Sequence, residues 1–165
     1  MTSPRSRAPK PPHVKTIVEF CALFGQEVPA HTVRIGPRWF HDPQGLITAA
    51  RERGWEPFSG GIYLGEERGG FRPTSALVSM LGAGNDRRVA LESKSAWLYL
   101  CGRDVLMEGV LGSPGYRAGE LVFLVDEQDR VLGYGMILNP FDPRHRHAVL
   151  VKHLLDRGEY LRRER

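Results

Sequence analysis

The chain has 165 residues, a mass of 18.5 kDa, 41% hydrophobic and 25% charged residues and a mean hydropathy of −0.32, which excludes disorder throughout and fits an ordinary soluble globular protein. No apolar run approaches the roughly 20 residues that cross a bilayer, and the opening MTSPRSRAPKPPHVK has no apolar stretch for a secretory leader, so neither a membrane span nor export is expected. Lys+Arg 23 against Asp+Glu 19 gives +4, yet Arg5, Arg7, Lys10 and Lys15 lie in an opening segment without acids, so the body sums to about zero.

Residues 1–12 hold prolines, serines and basic residues with no large aliphatic, which predicts a flexible basic arm. Val14, Ile17, Val18, Cys21 and Phe24 recur at helical spacing, with Gly25 as the stop. A short strand is predicted at Thr32 to Ile35. Arg38, Trp39 and Phe40 follow, where the aromatics are either core residues or a stacking surface. Asp42 and Pro43 read as an N-cap with proline in the first turn of a helix carrying Leu46, Ile47 and Ala50. Residues 60–65 and Phe71-Arg72 then form a strand pair around the turn at 66–70, and Pro73-Thr74-Ser75 opens a third helix. The glycine-rich, polar residues 82–87 read as a boundary, which divides the chain into an N-terminal mixed α/β domain at 13–86 and a second domain at 87–165.

In that second domain Arg88 to Leu91 reads as a strand, Ser95 to Cys101 as a short helix and Val105 to Leu111 as another strand. Leu121 to Val125 and Val131 to Leu138 pair across a turn at 126–130, and Ala148 to Val151 is a last apolar run. Short strands separated by turns argue for a small β-barrel, so the fold class is α+β. Gly133 and Gly135 inside a strand mark a bulge, a barrel corner or a close backbone approach.

No spacing supplies a nucleophile, base or metal set. Residues 65–70 lack the lysine and hydroxyl residue of a phosphate loop and read as turn glycines. His145 and His147 flank Arg146, and a cation between two would-be ligands opposes a dication. Cys101 reads as a small core residue, and two cysteines are too few for a disulfide framework or a cysteine zinc site, which together with the absent leader predicts a reducing, cytoplasmic setting. No catalytic residue, cofactor or metal is expected. Positive charge instead collects after Pro140. Arg144, His145, Arg146, Lys152, Arg157, Arg162 and Arg163 are the candidate RNA-binding residues, grouped around the last apolar run so that they can follow the phosphates of a single-stranded or looped RNA. The plainer alternative is that these cations solubilise the end of the chain.

A family resemblance enters on residues 101–110, on 119–123 followed by 131–136, and above all on the ending Asp156-Arg157-Gly158-Glu159-Tyr160-Leu161-Arg162-Arg163-Glu164. From Ser95 to Arg163 the chain resembles a PUA domain, and its ending is similar to that of the ribosome-biogenesis PUA proteins of the nuclear import protein seven family. The likeness continues upstream through residues 59–65, Phe71-Arg72 and residues 75–77, and so covers roughly the last two thirds of the chain. Where eukaryotic members carry a lysine soon after the glycine strand, this chain reads Leu138-Asn139-Pro140. The resemblance implies an α/β pre-PUA domain beside a PUA barrel, no catalysis, and binding of ribosomal RNA or its precursor through basic positions around the last strand. It further implies a role in rRNA processing and large-subunit assembly, with other assembly proteins as partners and no membrane. The arginine-rich, compact form looks archaeal. Two alternatives are an RNA-docking accessory subunit of an RNA-modifying enzyme and a protein-interaction module.

Overall fold

In the computed structural model, which describes residues 9–159 and Arg162, the first helix starts where Thr16 lends its hydroxyl to the Glu19 N–H at 3.2 Å. That cap satisfies one of the amides a helix leaves unpaired at its start. Helix α1, Ile17–Ala22, is shorter than the apolar spacing suggested, because Val14 precedes the cap and Phe24 follows the last turn, while Val18 lies on the exposed side. Ile17, Phe20 and Cys21 face inward, and the Phe20 ring meets Phe24 at 5.5 Å and Phe71 at 5.6 Å. Burial pushes the Cys21 thiol up to about 11, so it stays protonated and behaves as a small apolar side chain.

Residues 13–87 form one compact unit. Its sheet has the order β1-β2-β3-β4, all antiparallel, with β1 at Thr32–Ile35, β2 at Arg38–His41, β3 at Ile62–Glu67 and β4 at Phe71–Pro73. β2 settles the reading of the aromatic pair in this segment. Phe40 is buried with Ile35 and Ile47, while the Trp39 indole donates to Glu67 at 3.0 Å. The helix expected to begin at Pro43 begins later, at Leu46, and α2 spans Leu46–Glu52. Residues 42–45 first close a turn from Gly45 N–H to Asp42 C=O at 3.1 Å. The buried Asp42 carboxylate then accepts the N–H groups of Leu46 at 3.1 Å and Ile47 at 2.8 Å, so it caps the helix across the intervening turn. Helix α3, Ser75–Gly82, begins after a Thr74 cap, within the Pro73-Thr74-Ser75 start expected of it.

The second unit contains Arg88 onward. Its elements are β5 (Arg88–Ala90), α4 (Ser93–Leu100), β6 (Val105–Leu106), a single 3-10 turn (Met107–Gly109), β7 (Leu121–Val125), β8 (Val131–Ile137) and β9 (Val149–Asp156). The strand order is β5-β7-β8-β9-β6, with β5 parallel to β7 and the other pairs antiparallel. The sheet curls until its edges meet. Leu91 bridges Val110, Glu92 N–H bonds to Gly109 C=O at 3.1 Å, and Leu111 N–H bonds to Ala90 C=O at 2.8 Å. The strand expected over Val105 to Leu111 is therefore divided. Met107 and Glu108 turn aside to bond the carbonyls of Ala148 and Arg146, and the chain resumes pairing at Val110.

All five residues of β7 are buried, and Val89, Leu91, Tyr99, Val122, Leu124, Ile137, Leu150 and Val151 share one core. The glycines of β8 are explained by β9. A Cβ on Gly133 would lie 2.0 Å from the Leu155 carbonyl oxygen, and one on Gly135 would lie 2.5 Å from that of Lys152. The β8–β9 register shifts between Tyr134 and Gly135, so the bulge suggested by these glycines is present. The buried Tyr99 hydroxyl reaches this irregularity from α4, 2.7 Å from the Tyr134 carbonyl oxygen and 2.8 Å from that of Leu155. Residues 1–8 of the expected arm lie outside the described residues. Among the described residues no helix is long and apolar enough to cross a membrane.

Candidate nucleic-acid interface

β9 carries or borders most of the candidate cations. It runs well beyond the apolar residues 148–151, so Lys152 and His153, expected just past the strand, lie within it. This places Lys152 on the exposed side of β9, with Nζ 3.1 Å from the Asp104 carboxylate, whose other oxygen accepts the His153 N–H at 2.9 Å.

The connection from β8 to β9 presents the next group. Asp142 organises it, accepting the Arg144 N–H, Nε and Nη2 and meeting His145 Nδ1, each at 3.0 Å. Side-chain and backbone hydrogen bonds from Arg144 hold the Asp142 carboxyl well below the usual carboxylate range. Arg146 and His147 instead approach the two oxygens of Glu108 at 3.6 and 3.5 Å. The two histidines thus serve different acids. Among the described residues no group of three or more His, Cys, Asp or Glu side chains is disposed to hold a metal. Arg144 and Arg146 keep 84% and 71% of their side-chain surface open to solvent despite these pairs.

Arg162 plays a different part. Its guanidinium donates to the fully buried Asp156 carboxylate at 2.6 and 3.0 Å and to the Leu100 carbonyl, and His153 closes on the same carboxylate. This is an internal clamp, since removing Arg162 would take a partner from the buried Asp156 charge. Arg157 is exposed, and among the described residues its side chain has no ion pair, while its backbone N–H bonds to the Leu132 carbonyl at 2.9 Å. Arg163 lies outside the described residues.

The structure therefore gathers Arg144, His145, Arg146 and Lys152 on β9 and its approach, each beside an acid. Arg157 lies at the far end of β9, and Arg162 is engaged in the fold. Such exposed pairs are screened by water and salt and contribute little to stability, so a phosphate can compete for the cation. Cys101, expected in the core, is exposed in the turn after α4, because the inward residues of that helix are Ala96 and Tyr99. The same helix phase exposes Trp97, 65% of whose surface is open and which the sequence reading passed over. The signal was present: a tryptophan next to Ala96 and two before Tyr99 cannot share their inward face.

The second unit is thus a curled sheet of five strands, with a helix after the first strand and a basic connection into the last. Residues 87–165 match the family model described as the UPF0113 PUA domain. A UPF0113 protein of Archaeoglobus fulgidus is 30% identical over 112 residues, covering 66% of this chain and 64% of that protein. The chain thus spans 64% of the length of that curated relative. Among solved structures, a conserved PUA domain protein from Thermoplasma acidophilum aligns over 90% of this chain and 91% of its own, at 13% identity and a TM-score of 0.57, a likeness of fold. A hypothetical protein from Pyrococcus horikoshii aligns over 52% of this chain and 57% of its own, at 23% identity and a TM-score of 0.44. PUA domains in general bind RNA.

Proposed function

We propose that this protein is a non-catalytic RNA-binding factor of ribosome biogenesis, acting in rRNA processing and large-subunit assembly, and that it holds RNA through Arg144, His145, Arg146, Lys152 and Arg157. The observation that carries the reading is the match of residues 87–165 to a PUA family together with the exposed cations that flank β9. Their acidic neighbours bear on specificity. Asp142 accepts from Arg144 Nε and Nη2 and Glu108 stands 3.6 Å from Arg146, so an incoming phosphate must displace or share an acid, which disfavours indiscriminate binding. Single-stranded or looped RNA is the partner this surface suits, other assembly proteins are further partners, and the setting is the cytoplasm.

The test is fluorescence anisotropy with a labelled single-stranded RNA and its duplex over a salt series. About four phosphate contacts on a single strand give a slope of log affinity on log salt near −3, at roughly 0.7 per contact. R144A/R146A/K152A should lose most of the affinity and much of the slope while its thermal unfolding stays close to that of the parent. A folded triple variant with undiminished affinity would refute the site, and a slope near zero for the parent would refute the electrostatic mechanism.

A further inference from the structure

A groove beside α4 is not accounted for by the cations on β9. It is lined by Ala96, Trp97 and Leu100 of α4, Leu132 of β8, the turn residues Asp126, Gln128 and Arg130, and Arg157. Its floor is apolar, and its wall is Trp97. The indole N–H of Trp97 has no acceptor among the described residues, and no ring packs on it. Aromatic side chains of this size ordinarily bury most of their surface, so an open tryptophan at a groove wall is an available π-face.

The rim has one chemical character. Asp126 is occupied from within its own turn, by the N–H groups of Gln128 at 3.0 Å and Arg130 at 2.9 Å and by Arg130 Nε at 2.7 Å. Neighbouring Glu127 accepts the N–H and hydroxyl of Ser93 at 3.0 and 3.2 Å. Gln128 Oε1 accepts Arg130 Nη2 at 3.2 Å, which leaves the side-chain NH2 of Gln128 as the part still offered. With these acids engaged, the groove presents donors and Arg157, a cation without an ion pair among the described residues, around an aromatic face and apolar lining residues. A planar ring rich in acceptors, joined to an anion, complements that set.

We propose that this groove is a subsite for one unpaired nucleobase of RNA, stacked on Trp97, edged by the Gln128 amide, with the adjoining phosphate on Arg157. The inference rests on the RNA-binding reading and adds to it a place where a base, rather than the backbone, is held. It also assigns Arg157 to a different contact from Arg144 and Arg146.

The experiment uses the full chain and two labelled RNA strands of equal length, one normal and one carrying abasic sites, measured by anisotropy. W97A should weaken binding of the normal strand about tenfold, as loss of one stacked base does. It should leave the abasic strand unchanged, and W97F should recover most of the loss. R157A should reduce the salt slope by about 0.7 on either strand. Because Trp97 is exposed, W97A should unfold at the parent temperature, and that is checked first. Binding by the parent that W97A leaves within twofold on the normal strand overturns the subsite while RNA binding stands. Equal losses by W97A on both strands overturn stacking. A parent that binds neither strand overturns the RNA reading itself and the subsite with it.

Discussion

Replacing Tyr99 with phenylalanine removes one oxygen and tests how the irregular β8–β9 pairing is held. Tyr99 is 1% exposed, so its ring would stay in place, and the loss falls on the two carbonyl oxygens its hydroxyl faces at 2.7 and 2.8 Å. These belong to Tyr134 and Leu155, the pair next to the register shift, which brings the α4 hydroxyl to the site where the ladder is interrupted. Withdrawing the donor from a buried acceptor costs about 1–3 kcal/mol. For a chain of this size each kcal/mol moves the melting temperature by roughly 2–4 °C, so Y99F should melt about 3–10 °C below the parent. Differential scanning calorimetry at neutral pH reads this directly, and near-ultraviolet circular dichroism confirms that the aromatic environment persists. A change below about 0.5 kcal/mol, the usual range for surface substitutions, would refute the idea that this hydroxyl supports the bulge.

Further expectations follow from other groups. Burial, with the Asp156 charge next, pushes the Tyr99 pKa well above 10, and burial raises Tyr134 to about 12. Both groups are therefore protonated in the folded state where the unfolded chain has begun to ionise, so their contribution is intact below about pH 10 and is lost as pH rises further. Denaturant midpoints between pH 9 and 11 should fall less steeply in Y99F than in the parent. G133A would drive a Cβ to within 2.0 Å of the Leu155 carbonyl oxygen, so β8 and β9 must separate locally, and urea unfolding should show a loss of several kcal/mol or no folded protein. D42A removes the acceptor for two α2 amides and should cost about 1–2 kcal/mol in the same assay.

Legibility in the sequence followed the range over which each signal acts. The β1 bounds, the start of α3 at Pro73-Thr74-Ser75 and the glycine-marked irregularity in β8 were readable because turn chemistry, helix starts and missing side chains are local properties. β2 was not, since Arg38-Trp39-Phe40-His41 has no clean alternation of polar and apolar residues and becomes a strand through its neighbours β1 and β3. The division of the β6 segment came from carbonyls of Ala148 and Arg146, some 40 residues distant in sequence. For the candidate site, the list of cations was legible but their partners were not. Glu108 and Asp104 reach Arg146 and Lys152 only after the sheet has curled, and Arg162 becomes a clamp only because Asp156 is buried beside it. Trp97 shows the reverse: its exposure was implied by helix phase, and its significance emerged with the groove.

The strand order of the C-terminal unit has a consequence for how it is made. Among the described residues β9 is the last strand in sequence yet lies between β8 and β6, so during synthesis two strands wait with open edges for a segment not yet translated. Residues 13–87 have every strand of their own sheet available by then and can fold first. The unit beginning at Arg88 completes its sheet only when β9 inserts, and pairings this distant in sequence form slowly. Waiting edges are also where chains pair wrongly with one another. Aggregation of nascent or truncated chains lacking β9 should therefore exceed that of the unit spanning 13–87.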